Sequence, residues 1–293
     1  MKNTVIYITY VVFITIIMTT LVSCEDFFYS DLEEKYYIKD ENKLVVSAFI
    51  SPDVDTQRIY ISKSRIVYNT YHYNDDQHIS NADVKIIHNS NEYPLTFEPS
   101  TFSYIIPNSE INVTPAQNYQ LNVKCHDYPT ASAQCVVYDK NIAYINHKGI
   151  DIISSSYDTY AIYEFSFSDI ANECNIYDAS LTVIGRDGET DSFFLNNIND
   201  LNNDGNDINL SFYRYFSHSV EKEELAEMDS LYIVKVFVYG KYAGDFLSSA
   251  YENQNGVGDV FYEPVHIKSN VSNGLGVFGS YRVFEKRFYS IAK

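Results

Sequence analysis

Short apolar stretches that alternate every second residue, broken by turn-forming residues at close intervals, constrain this chain more than any other feature. Arg58-Ile59-Tyr60-Ile61-Ser62 puts Ile59 and Ile61 on one face, and Asp83-Val84-Lys85-Ile86 repeats the pattern. That is the two-residue period of a half-buried strand, not the 3.6-residue period of a helix. Leu44–Ile50 is apolar and β-branched, and Pro52-Asp53 turns the chain after it. Residues 93–97, 102–106, 119–123 and 133–138 add further strands, with a turn at 89–91. About seven short strands with frequent turn signals predict an Ig/transthyretin-like β-sandwich over residues 43–140.

Polar residues 139–141 and the serines at 154–156 mark a boundary within residues 139–158. Beyond it the pattern predicts a second β-rich domain over 141–293. Its strands are expected at 160–167, 177–184, 193–195, 208–216, 230–239, 265–268 and 277–284. One stretch resists a strand reading. Phe246, Leu247, Ala250 and Tyr251 fall at helical spacing, so residues 244–254 are expected as a short helix with Asp245 as its N-cap. Residues 221–228 could form a second short helical turn. The fold class is therefore all-β, and 28 Tyr and 18 Phe with no Trp agree with it. Such rings favour strands, with the ring buried and the hydroxyl wet. A net charge of −18 repels phosphate backbones and argues against nucleic-acid binding.

The N-terminus carries a different signal. Met1-Lys2-Asn3 leads into an apolar run over residues 5–22, which ends Leu21-Val22-Ser23-Cys24. An aliphatic residue, a tolerated apolar one, a small one and then Cys is the bacterial lipobox. Residues 1–23 are expected to be a signal peptide and Cys24 the lipidated residue; two or three acyl chains anchor stably. The competing reading is an uncleaved membrane helix, against which stand the acidic Glu25-Asp26 and the lack of a following Lys/Arg cluster. Residues 24–42, charged and without a clean period, read as an acidic tether. With Cys24 used for lipid, the three remaining cysteines cannot form a complete disulfide framework. A bridge between Cys125 and Cys135 is not expected, because a turn near 127–130 would set Cys125 opposite about residue 132.

Three segments carry candidate chemistry. Asp200-Leu201-Asn202-Asn203-Asp204-Gly205 matches the first half of a calcium loop, with oxygens from Asp200, Asn202 and Asp204. Position twelve is Ser211 rather than a bidentate Glu, so a polar hairpin turn competes with calcium binding. Tyr68, Tyr71, His72 and Tyr73 sit in an aromatic, polar loop that could stack on sugars or pack on a partner, or fold onto its own sheet. The segment from Glu263 to Tyr281 concentrates Asn270, Asn273, Gly274, Gly276 and Gly279 around Leu275, Val277 and Phe278. Its turn chemistry suits either a tight lock on the last strands or a ligand loop. No metalloprotease, nucleophile-elbow or phosphate-loop pattern is present. No enzymatic activity is therefore expected, although a surface glycan- or peptide-acting hydrolase and a structural or adhesion role stay open.

The lipobox, the acidic tether, the Leu44-Val45-Val46 strand, the Ala82-x-Val84-x-Ile86 strand and the Glu263-Pro264-Val265…Asn273-Gly274-Leu275-Gly276-Val277-Phe278-Gly279 segment occur in an order that resembles the domain-of-unknown-function 4249 lipoproteins of Bacteroidota. The resemblance spans nearly the whole mature chain. It implies a lipid-anchored protein of the outer membrane, facing the cell surface, with no assigned activity and a place beside a TonB-dependent transporter barrel.

Overall fold

The computed structural model describes residues 43–64, 77–154, 158–201, 204–255 and 265–289. The first of two cores is built by β1 (Leu44–Ile50), β2 (Thr56–Lys63), β3 (Asp83–His88), β4 (Asn91–Pro94), β5 (Thr96–Glu98), β6 (Ser103–Pro107), β7 (Asn118–Cys125) and β8 (Tyr128–Val136), with a single turn of helix α1 (Asn108–Ile111) after β6. The second is built by β9 (Ile145–Ser154), β10 (Thr159–Ser168), β11 (Ile176–Gly185), β12 (Thr190–Asn199), β13 (Asp207–Phe216), helix α2 (Lys222–Met228) and β14 (Asp229–Tyr239). Helix α3 (Lys241–Asn255) and the long β15 (Gly274–Tyr289) complete the chain. The architecture is all-β, a sandwich followed by a β-rich unit carrying the expected helix.

Alternation decides which face is buried. In β1, Leu44, Val46, Ala48 and Ile50 face the first core, where they join Ile59, Ile61, Ile86, Tyr119 and Leu121. In β10, Ala161, Tyr163, Phe165 and Phe167 do the same for the second core, against Leu181, Phe212 and Val236. The sheets are β12-β11-β14-β15-β1-β2-β6-β5, β13-β10-β9 and β4-β3-β7-β8.

β15 joins the two cores. Its residues 274–280 pair in parallel with β1, from Leu44↔Gly274 to Ile50↔Ser280. Its residues 281–289 pair antiparallel with β14, from Tyr239↔Tyr281 to Leu231↔Tyr289. A strand of 16 residues is about 50 Å long, enough to cross both sandwiches. The boundary drawn at residue 140 therefore assigns β15 to one unit, whereas Val271 and Phe278 are buried in the first core.

Several local expectations are corrected. Residues 93–97, expected as one strand, divide at buried Leu95: β4 pairs with β3 and β5 pairs with β6, so the chain changes sheets there. A strand that turns a sandwich corner does this, and periodicity alone cannot show it. β9 occupies much of the expected boundary; its Asn, His, Lys, Gly and Asp residues hid an edge strand whose register with β10 shifts between Glu164 and Phe165. Residues 265–268 form no strand. Their backbone is held by α3 instead, through Asn253 Nδ2 to the Val265 carbonyl (2.7 Å) and the Lys268 N–H to Ser249 Oγ (2.9 Å). α3 begins at Lys241, so Asp245 is not its N-cap but lies one turn inside, bound to Lys241 and Lys268. The β7–β8 turn is tighter than expected and sets Cys125 opposite Tyr128 and Cys135 opposite Tyr119. Cys125, Cys135 and Cys174 are free thiols, and burial pushes Cys135 up to about 12, so it is unreactive at neutral pH.

Gly276 adopts φ +102°, and a Cβ there would lie 1.9 Å from the Val46 carbonyl oxygen. Gly276→Ala is expected to destabilise the protein by about 3 kcal/mol or more, since φ strain and overlap act together. Chemical denaturation followed by circular dichroism measures it; a loss below about 1 kcal/mol would refute the close approach.

Candidate functional site

The Gly- and Asn-rich signature is a lock between elements. The Asn270 side chain acts as a peptide group at the edge of β15: Oδ1 accepts the Phe278 N–H (2.9 Å), and Nδ2 donates to the Phe278 carbonyl (2.8 Å) and the Gln134 carbonyl (3.1 Å). Asn273, at φ +57°, donates from Nδ2 to the Thr130 carbonyl (3.2 Å), while Ser272 and Ser132 exchange backbone hydrogen bonds. Gly274 opens β15 beside Leu44. Gly279 lies against α3, where a Cβ would come within 2.7 Å of the Ala243 methyl. Ser280 ties the same edge to β8, donating to the Val136 carbonyl (2.9 Å) and accepting the Tyr138 N–H (3.1 Å). These residues hold β8, α3 and β15 together. Glu263 and Pro264 lie outside the described residues, as do Cys24, Tyr68, Tyr71, His72 and Tyr73.

The half-loop after β12 meets a partner that no motif indicated. Asp169, at the end of β10, joins Asp200 and Asp204, with one carboxylate oxygen from each within 4.8 Å of the others. Asn202 lies outside the described residues. Each carboxylate is also steadied locally. Asp169 accepts the Tyr177 hydroxyl (2.5 Å) and the Gly205 N–H (2.7 Å). Asp200 accepts the Asn175 N–H (3.0 Å), and Asp204 the Asn172 N–H (2.6 Å). Asp200 is 1% exposed. Burial first, and then the charges of Asp169 and Asp204, hold its carboxyl above the usual carboxylate range. The flanks are the strands β12 and β13, and Ser211, at position twelve, pairs with Glu164 inside a ladder. An EF-hand is excluded, while three converging carboxylates could still receive a hard cation.

A second ionic cluster was invisible in the sequence. Arg214, inside β13, reaches Asp229 (2.8 Å) and Asp191 (2.6 Å), and Tyr163 donates to the other oxygen of Asp229 (2.7 Å). Asp229 is fully buried, so this pairing offsets the cost of its charge. The cluster borders a cleft of about 240 Å³ that Asp187, Glu189 and Glu227 also line. Both oxygens of Asp229 are engaged, which marks it as structural rather than as an acid–base pair. No spacing rule links residues 163, 191, 214 and 229; only strand pairing brings them together.

Asp200→Asn is expected to raise the melting temperature at pH 7 by about 2 °C or more, because it removes a buried charge beside two carboxylates. The sign follows from the raised folded-state value. The ionised form costs stability above that value, and the cost fades as pH falls through it, so the gain shrinks in acid. Calorimetry at both pH values with and without millimolar calcium reads both effects. A cation held by the three carboxylates raises the wild-type midpoint and leaves Asp200→Asn unmoved; equal midpoints with and without calcium rule the cation out.

No curated protein matches the chain. Among solved structures, a two fibronectin type-III domain segment from chicken tenascin is 9% identical, covering 68% of this chain and 91% of that one, with a TM-score of 0.19. A DUF3823 family protein from Bacteroides ovatus is 10% identical, covering 68% and 90%, with a TM-score of 0.16. Scores so low say nothing of function. A family model described as "Domain of unknown function (DUF4249)" matches residues 26–287, taking in the lock on β15, both cores and the carboxylate cluster, and the chain belongs to that family.

Proposed function

We propose that the chain is an exported lipoprotein, anchored in the outer membrane by acylated Cys24 and facing the cell surface, that serves as a non-catalytic binding module beside a TonB-dependent transporter barrel. The observation that carries this reading is Leu21-Val22-Ser23-Cys24 at the end of an apolar run, with the family match beginning two residues later at Asp26. Among the described residues no helix is long and apolar enough to cross a membrane, so attachment through a helix would have to come from outside them. Between Cys24 and the start of β1 at Leu44 the chain can reach at most about 70 Å. That reach would let a domain anchored at Cys24 stand off from the lipid surface and sit over the mouth of a neighbouring barrel.

The test is metabolic labelling with radioactive palmitate, followed by detergent solubilisation and purification through a C-terminal tag. Wild type is expected to carry label, fractionate with the outer membrane and bring down a barrel in stoichiometric amount. Cys24→Ala is expected to carry no label and to accumulate as precursor. An unlabelled wild-type chain would end the lipoprotein reading. A labelled chain that purifies alone would end the transporter reading and leave free-ligand binding or adhesion in its place.

A further inference from the structure

We infer that the open edge of β15 at residues 284–288 is a docking site for an extended, acidic peptide segment of a partner protein, which would add as a strand. β1 leaves β15 at Ser280, and beyond that point, among the described residues, β15 has a strand neighbour on the β14 side only. Just past the departure of β1, the Asp53 carboxylate accepts the Val283 N–H (2.9 Å) on the vacated side. Peptide groups alternate sides along a strand, so those of Glu285 and Arg287 also face the vacated edge. Asp53 does not continue as a strand to meet them. An edge of this kind is a template for β-augmentation.

The edge borders a cleft of about 370 Å³ between β15 and the chain around the start of β9. Ile142, Tyr144, Phe284 and Phe288 give it apolar walls, and Lys286 stands between the two phenylalanines. Register shows where Lys286 points. It lies opposite Val234, while Phe284 and Phe288 lie opposite Val236 and Tyr232, and all three partners are buried in the second core. Lys286 therefore projects from the inner face of the strand yet is exposed at the open side of the sandwich. Its basic neighbours are spoken for: Arg282 is paired with Asp53 and Arg287 with Glu285. Among the described residues Lys286 has no carboxylate partner.

Charge decides the occupant. A second copy pairing edge to edge would bring a like strand, with its own Lys286, against this one, and an inward lysine on an edge strand opposes that. A segment that places a carboxylate over Lys286 and apolar side chains against Phe284 and Phe288 satisfies the cleft and the open peptide groups together. The inference stands on the cleft alone, so its failure leaves the anchoring read from Cys24 intact, and the reverse holds too.

The full chain in mild detergent would be titrated, by fluorescence anisotropy, into a short labelled peptide of pattern threonine-valine-threonine-glutamate-threonine-valine-threonine, which sets one carboxylate between two valines on a single face, and into its counterpart with lysine in place of glutamate. Expected are saturable binding of the acidic peptide, at least about tenfold tighter than the basic one, and loss of that preference in Lys286→Glu. N-methylation of alternate peptide nitrogens should abolish binding without any change to the protein. Glu285→Pro, which removes an edge N–H but no bond to β14, should weaken binding while leaving the melting temperature near wild type. Absence of saturable binding, equal affinity for the two peptides, or indifference to N-methylation would each overturn the inference. So would concentration-dependent dimerisation that Glu285→Pro abolishes.

Discussion

Val46 and Gly276 face one another across the parallel β1–β15 ladder, so close that residue 276 has no room for a side chain. The contact binds the first strand of the fold to the last, separated by some 230 residues of chain, and the two-sandwich arrangement depends on it. Seven residue pairs of β1 and β15 close the first sandwich, and nine further pairs run on along β14 into the second. Loss of the first group would leave Val271 and Phe278 without the core they fill. Parallel pairing between strands so distant in sequence carries a loop-closure cost, which the fold offsets by burying the inner face of the junction in the first core and packing Gly279 of the other face against α3. The amide of Asn270 matters for the same reason, since it supplies the peptide-like pairing that β15 lacks where neither β14 nor a turn reaches it.

Tyrosine fastens what the strands align. Tyr104 donates to the Ile79 carbonyl and accepts the Ala82 N–H; Tyr119 donates to the Asn112 carbonyl and accepts the Thr114 N–H. Tyr163, Tyr177 and Tyr239 each give their proton to an aspartate, at Asp229, Asp169 and Asp178. Burial, aided by those carboxylates, drives the three phenols above the usual tyrosine range, so each stays a donor across physiological pH. Each such ring contributes apolar area to a core and ends in a hydrogen bond to a loop or a neighbouring strand. The abundance of Tyr in so acidic a chain thus has a structural meaning. Many of its aspartates act as acceptors inside the fold rather than as free surface charge.

Periodicity made the all-β class, most strands of both cores and a helix, expected at 244–254 and found at 241–255, legible in the sequence, because side-chain period and burial are tied directly in strands and helices. What stayed hidden depended on pairing between distant segments. Asp169 is 31 residues from the half-loop it joins, and only the β10–β13 register sets it beside Gly205. β9 carries too many polar residues to show a period, since among the described residues it pairs with β10 alone and forms the edge of its sheet. The sheet change at Leu95 and the reach of β15 across two cores are matters of topology, which composition does not encode. The signature is the instructive case. Its Gly and Asn content signals close approach and positive φ but cannot say whether a ligand or another strand does the approaching. Here Val46, Ala243, Gln134 and Thr130 do.

That outcome bears on where binding can occur on this chain. The space a side chain would need at Gly276 and Gly279 is taken by Val46 and Ala243, and the amides of Asn270 and Asn273 bond neighbouring carbonyls. Much of the most distinctive stretch of sequence is therefore spent on holding strands together, with residues 276–280 buried. The same strand that it locks in place runs on past β1 with no strand on one side among the described residues, so the rigidity gained at residues 270–280 presents residues 284–288 in a fixed extended conformation. An edge ordered before it meets a partner loses little further conformational entropy on binding. In a chain of net charge −18, a single inward lysine on that edge is a local exception with a physical consequence: it discriminates among strands by charge where the backbone alone would accept any.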